Sequence, residues 1–380
     1  MTLPLAVYVH WPYCAKVCPY CDFNVVRDRG RTDEQAALAA AIIDDLNGWR
    51  ALTGPRRLTS IFLGGGTPSL MDPAAAARVI ETARALWDAE PDLEISLEAN
   101  PTDAEADRFE AFAAAGVTRL SLGVQALDDA SLTFLGRNHD ADTARRAARK
   151  AAATFPRLSM DMIYARPGQT PEGWATELLE VLDFGPEHIS PYQLTIEAGT
   201  AFDRAVGRGR FTPPDEDLAA ALFETTQSVL EAAGFDAYEV SNHAQGEAAR
   251  SRHNLAYWRG YDYVGVGPGA HGRLTQDGAR IATAAERRIG DYIARVGADG
   301  AGFEREPLTA VEAAEERLLM GLRIDAGVGF DEVAPLGLTP DDHRIRHLAA
   351  EGLLIDDRQR LRATRQGRLV LDSLTAALIV

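Results

Sequence analysis

With 380 residues, 46% of them hydrophobic and 25% charged, the chain has the make-up of an ordinary globular protein, with room for one large domain and a small one. A formal net charge of −17 weighs against nucleic acid and anionic membranes as partners. No stretch approaches the roughly 20 apolar residues of an integral membrane segment, and residues 1–12 show neither a basic n-region nor a cleavage site, so a cytoplasmic location is expected.

The first apolar run, 5–10, predicts a strand, and the loop after it holds every cysteine of the chain: Cys14, Cys18 and Cys21, spaced CxxxCxxC. Three thiolates from one tight loop suit a [4Fe–4S] cubane, which takes one thiolate per iron and is left with an open iron. An open iron can chelate an amine and a carboxylate, the arrangement used when a reduced cluster cleaves S-adenosylmethionine (SAM). A zinc site would need a fourth ligand, for which His10 stands near. A disulfide is disfavoured by the odd count and the lack of a secretory signal. Tyr20 and Phe23 would give a cluster apolar cover, and would equally suit an ordinary core.

The strand at 60–63 runs into Gly64, Gly65, Gly66, Thr67 and Pro68. Three glycines let backbone approach a ligand closely, and the missing Gly-Lys-Ser/Thr rules out a P-loop. Taken alone this is a tight turn; beside the cysteines it is a loop able to hold the ammonium and carboxylate of a methionine. The next strands, 93–98, 119–124 and 158–163, bring Glu98, then Gln125 with Arg137 twelve residues on, then Asp161. A carboxylate in an apolar strand calls for a partner. Sulfonium, amine or ribose would serve, as would a structural ion pair with Arg119 or Arg137.

Strands at 188–194 and 235–240 complete the series. Ala-rich helices are predicted over 33–52, 73–88, 103–115, 140–155, 171–184 and 214–233, each with Asp or Pro in or near its first turn. This alternation predicts an α/β fold, a partial (β/α)6 TIM-like barrel with its chemistry at the carboxyl ends of the strands.

Further on, His253 with Tyr257 and Trp258 offers either an axial imidazole and flat rings for a heme or a hydrogen-bonded core histidine. The glycines near Gly265 read as a close-packed strand and turn, since Pro268 breaks any dinucleotide fingerprint. From residue 307 the pattern changes. A helix opens with a Thr309/Glu312 capping box, and later helices and a hairpin at 352–362 predict a small C-terminal winged-helix-like α+β domain. The expected divisions are 1–240 (core barrel), 241–305 (extension) and 306–380.

CxxxCxxC preceded by Tyr8, the 64–68 loop, Glu98, Gln125, Arg137 and Asp161, in that order, resemble the radical SAM proteins related to oxygen-independent coproporphyrinogen III dehydrogenase, nearly end to end. The resemblance implies a radical SAM barrel in which the cysteines hold the cluster. Tyr8, Gly65, Gly66, Thr67, Glu98, Gln125, Arg137 and Asp161 would then line the SAM site, beside Tyr20 and Phe23. Within that group the chain is most similar to the heme chaperone branch, HemW. The dehydrogenase has a further cysteine where this chain has Phe23, and an N-terminal segment ahead of the first strand. Residues 253–258 match the chaperone signature HNxxYW. The resemblance therefore implies heme at His253, an unidentified heme-acceptor protein, and an electron donor to the cluster. The alternatives are radical decarboxylation of coproporphyrinogen III, and a redox-sensing nucleic-acid binder, against which the net charge weighs.

Overall fold

Six parallel strands lie side by side at the centre of a computed structural model that describes residues 3–379: β1 (Pro4–Trp11), β2 (Arg57–Gly65), β3 (Asp88–Ala99), β4 (Arg119–Gln125), β5 (Arg157–Tyr164) and β6 (His188–Gln193). Their inner runs are apolar because both faces are covered. Helices α1 (Thr32–Thr53), α2 (Pro73–Leu86), α3 (Ala141–Thr154), α4 (Pro171–Leu182) and α5 (Glu216–Ala232) fill the crossovers. The Asp and Thr residues at their starts act as caps: Asp72, Asp140, Thr170 and Asp215 each accept a first-turn backbone N–H. The helix expected over 103–115 is broken into Asp103–Ala106 and Phe109–Ala114. Between them Arg108 reaches out to the carbonyls of Ser69 and Met71, while Glu105 binds Ser69 and the Asn100 N–H.

The segment 241–305, expected as an extension, adds strands to both edges of the same sheet. β7 (Asp236–Glu239) and β8 (Asn242–Ala244) continue the β6 edge in antiparallel fashion. On the other side β9 (Asp262–Val266) pairs in parallel with β1, and β10 (His271–Gln276), β11 (Ala279–Ala285) and β12 (Phe303–Pro307) follow antiparallel. The sheet thus has 12 strands in the order β12-β11-β10-β9-β1-β2-β3-β4-β5-β6-β8-β7. The turn after β9 is as close-packed as the glycines suggested: a Cβ on Gly265 would lie 2.0 Å from the His271 carbonyl oxygen. Before β9 comes the short helix α6 (Arg252–Trp258), which carries the HNxxYW residues.

The C-terminal unit has a core of its own, with Leu318, Leu322, Val328, Ile345, Leu354 and Leu361 among its buried residues. Helix α7 (Ala310–Gly321) starts with the expected capping box. The predicted hairpin is reduced to one bridge, Leu354 with Ala363, because its second arm pairs instead with Val328–Gly329. With α8 (His343–Ala350) lying in the chain between Val328–Gly329 and Arg360–Leu361, the arrangement keeps a winged-helix outline. Among the described residues no helix is long and apolar enough to cross a membrane.

Candidate functional site

At the carboxyl ends of the six parallel strands lies a cavity of about 330 Å³. Cys14, Cys18 and Cys21 form one wall, and Gly65, Gly66 and Thr67 a second. Two hydrogen bonds weld these loops together, Gly66 N–H to the Trp11 carbonyl and Thr67 N–H to the Tyr13 carbonyl, both 2.8 Å. Residue 66 has to be glycine, since a Cβ there would sit 2.7 Å from the Tyr13 carbonyl oxygen and 2.8 Å from that of Pro12. Cys14 belongs to a two-residue parallel ladder, Tyr13–Cys14 with Val26–Arg27, and Cys21 closes a turn onto the Cys18 carbonyl. Burial pushes the Cys14 thiol up to about 11 and raises that of Cys21 as well. These thiols are protonated until a metal displaces the proton. Among the described residues no three His, Cys, Asp or Glu side chains converge as ligands for a single metal ion. A cubane makes a different demand, one thiolate for each of three irons.

Arg137 stands behind the cysteines, with Nη1 3.3 Å from Cys18 Sγ and 3.5 Å from Tyr20 Oη. Its Nη2 donates to the Gly123 carbonyl at 3.0 Å and to Asn100 Oδ1. Two buried groups around the cavity, Arg137 Nε and Gln125 Oε1, have no hydrogen-bond partner among the described residues. Gln125 is also held at φ 68°, a left-handed conformation that non-glycine residues adopt at a cost and that often marks a functional site.

Glu98 and Asp161 both face the cavity. Glu98 accepts from the Gly65 N–H at 3.2 Å, and both Asp161 oxygens accept from Ser121 Oγ, at 3.2 and 3.0 Å. Among the described residues neither carboxylate is ion-paired with Arg119 or Arg137. Burial, with Asp161 beside it, pushes the Glu98 carboxyl up to about 8, and burial raises Asp161 too. Two buried carboxyls facing one cavity suit a cationic ligand, which would favour their charged forms.

Three expected residues are placed differently. Tyr8 does not line the cavity. Its hydroxyl is 3.0 Å from His10 Nδ1, and its ring stacks on Phe62 with centroids 6.3 Å apart, deeper along β1. Phe23 reaches the rim and is 66% exposed rather than packed in a core.

The third is His253, for which an open axial imidazole was one expectation. It is 1% exposed, with Nδ1 3.1 Å from Ser60 Oγ and Nε2 2.7 Å from Tyr257 Oη. Its ring stacks on Phe62 at 4.9 Å, and burial drives the imidazole down to about 3. The reason lies in α6, whose first N–H groups, those of Arg252 and His253, donate to the buried Glu94 carboxylate at 3.1 Å each. That anchor turns His253 inward toward the amino ends of β2 and β3. In this arrangement neither ring nitrogen is free.

Sequence reasoning passed over Asn100 and Ser121. Asn100 Nδ2 donates to Thr67 Oγ1 at 3.0 Å, coupling the glycine loop to Arg137. Ser121 was within reach of the two-residue period of a strand, counting back from Gln125 through Gly123.

The signature of the radical SAM superfamily matches residues 8–179, and that of the HemN C-terminal domain residues 308–370. "Radical S-adenosyl methionine domain-containing protein 1, mitochondrial" of Bos taurus is 40% identical, over 98% of this chain and 87% of the relative. "Heme chaperone HemW" of Escherichia coli is 34% identical, over 98% of this chain and 97% of the relative. Among solved structures, coproporphyrinogen III oxidase (HemN) from Escherichia coli, described as a radical SAM enzyme, matches with a TM-score of 0.81 at 22% identity, over 100% of this chain and 91% of that one. That last likeness is one of fold.

Proposed function

Since this chain belongs to the radical SAM superfamily and, within it, to the family of heme chaperone HemW, we propose that it binds heme and passes it to an acceptor protein, and that its barrel cavity holds a [4Fe–4S] cluster and SAM. The observation carrying this reading is the donor set around one cavity: three thiols, two buried carboxyls and, among the described residues, two buried polar atoms without partners. The three free thiols fit a reducing compartment such as the cytoplasm.

Cys14, Cys18 and Cys21 would hold three irons, each giving up its proton, with the Arg137 guanidinium beside Cys18. Once bound and reduced by a donor, such a cluster supplies the electron that breaks the SAM C5′–S bond. The remaining work falls to the cavity itself. Gly66 lets the glycine loop close onto the cysteine loop, Gln125 Oε1 offers an acceptor, and Glu98 and Asp161 supply negative charge for sulfonium and ammonium. Heme binding at His253 requires α6 to exchange the Ser60 and Tyr257 hydrogen bonds for iron. Anaerobic reconstitution assayed for iron, sulfide and heme together tests the reading: all three should be found on the same protein. No conversion of coproporphyrinogen III to protoporphyrinogen IX is expected, because Phe23 replaces the extra cysteine of the dehydrogenase. Multiple turnovers with SAM under reducing, anaerobic conditions would reverse that assignment.

Glu98 gives the cavity a pH signature. Its folded value of about 8 lies above the roughly 4.3 of an unfolded chain. Between those limits the native state binds more protons, so this group's contribution to stability falls as pH rises. Glu98→Gln should therefore stabilise the ligand-free protein by roughly 1–2 kcal/mol at pH near 8.5, and less toward pH 5. SAM binding should behave in the opposite way. The wild-type affinity weakens as pH falls below about 8 and Glu98 takes up its proton. Urea unfolding and calorimetric titration across that range check both signs.

A further inference from the structure

The cysteine loop returns to the barrel through Asn24, three residues beyond the last thiol. Asn24 Nδ2 donates to two main-chain carbonyls, those of Pro268 and Arg287, at 2.9 Å each. Its own carbonyl lies 2.8 Å from His10 Nε2. A carbonyl only accepts, so Nε2 carries the proton and Nδ1 accepts from the Tyr8 hydroxyl at 3.0 Å. Among the described residues, Asn24 makes all the hydrogen bonds that tie residues 22–25 to the barrel.

The surroundings are shaped to hold this clamp. A Cβ on Gly269 would lie 2.6 Å from Asn24 Nδ2, and one on Gly267 2.2 Å from the His10 carbonyl oxygen. On the cavity side a Cβ on Gly65 would lie 2.6 Å from the His10 ring, and the Gly65 N–H is the donor to Glu98. The Asn24 side chain thus ties the cysteine loop to the segments that flank the outer strands, while its main-chain carbonyl meets His10, the residue packed against Gly65.

We propose that Asn24 is a positioning residue for the cluster, and that the turn at 267–269 and residue 287, which lie outside the 8–179 radical SAM match, are part of the scaffold that sets the Cys21 ligand. The inference rests on the reading that the three cysteines carry a cluster. The two carbonyls flank the outer strands, Pro268 in the turn after β9 and Arg287 just beyond β11.

The test uses reconstituted full-length protein with Asn24→Ala and Asn24→Asp. Asp keeps the shape of Asn but sets a carboxylate against two carbonyl oxygens. Isothermal titration with SAM and electron paramagnetic resonance of the reduced cluster are the readouts, with thermal unfolding of the iron-free protein as a control. Asn24→Ala is expected to weaken SAM binding about tenfold, the equivalent of one or two lost hydrogen bonds, and to broaden the cluster signal. Asn24→Asp should be worse than Ala. If the Asp variant does not fold, Asn24→Ser, which keeps one donor, should fall between wild type and Ala. Wild-type SAM affinity and spectrum in the variants, with or without a lower unfolding temperature, would overturn the proposal. Wild-type protein without an iron–sulfur signal would instead overturn the reading beneath it.

Discussion

Replacing Cys14, Cys18 or Cys21 with Ala should abolish the iron–sulfur cluster and leave the barrel folded. The chain has no fourth cysteine to step in, and a cubane held by two thiolates has two open irons and is lost to solvent. The barrel should tolerate the change because all three residues line the cavity, Cys14 buried in its wall and Cys18 and Cys21 only half-buried. Truncation at such positions costs on the order of 1 kcal/mol. Iron and sulfide per chain, with circular dichroism alongside, measure both halves. A single variant that keeps full iron and sulfide would contradict the ligand assignment.

The second large effect is expected at His253. His253→Ala should remove most heme binding while cluster content stays at the wild-type level, since the contacts of His253 among the described residues are with Ser60, Tyr257, Tyr8, Phe62 and Glu94 and not with a cysteine. The Ala variant also leaves Ser60 Oγ and Tyr257 Oη unpaired in the interior, which costs about 1–3 kcal/mol for each, so a loss of heme by itself has two explanations. Tyr257→Phe separates them. It frees Nε2 while keeping the ring that packs against Tyr263 at 4.5 Å. If His253 must be released before it ligates iron, this variant should bind heme about 5- to 30-fold more tightly, the equivalent of 1–2 kcal/mol. Absorbance titration of heme into both variants decides. Unchanged heme affinity and spectrum in His253→Ala would make His253 a core histidine, and His271, exposed at the start of β10, would be the next residue to replace.

Much of the cavity was legible because its residues follow a rule of topology rather than of side-chain detail. Each apolar run ends in a polar or glycine residue, and in a parallel barrel those ends meet. Gly65, Gly66, Thr67, Glu98, Gln125 and Asp161 could therefore be gathered without knowing a single distance. Arg137 joined them across twelve residues only through the family resemblance, and the structure puts it against Cys18.

What lay beyond reach was the side of the sheet on which a segment settles. The run at 262–266 is short and glycine-bearing, and nothing local says that it pairs with β1, some 250 residues earlier. The same limit hid the orientation of α6. Its sequence offers His253, Tyr257 and Trp258 to any neighbour, and the choice is made by Glu94, a carboxylate on β3 with no sequence signal linking it to residue 253. Tyr8 shows the converse: its place before the cysteines suggested the cavity, but the two-residue period of β1 puts it on the same face as His10, whose Nδ1 takes its hydroxyl.

The central claim is that one cavity binds a cluster with an open iron and SAM together. Electron paramagnetic resonance of the anaerobically reconstituted, reduced protein, recorded before and after adding SAM, tests it most directly. The account predicts a [4Fe–4S] signal that changes shape when SAM occupies the open iron. A signal indifferent to saturating SAM, or protein that holds stoichiometric zinc and no sulfide, would contradict it.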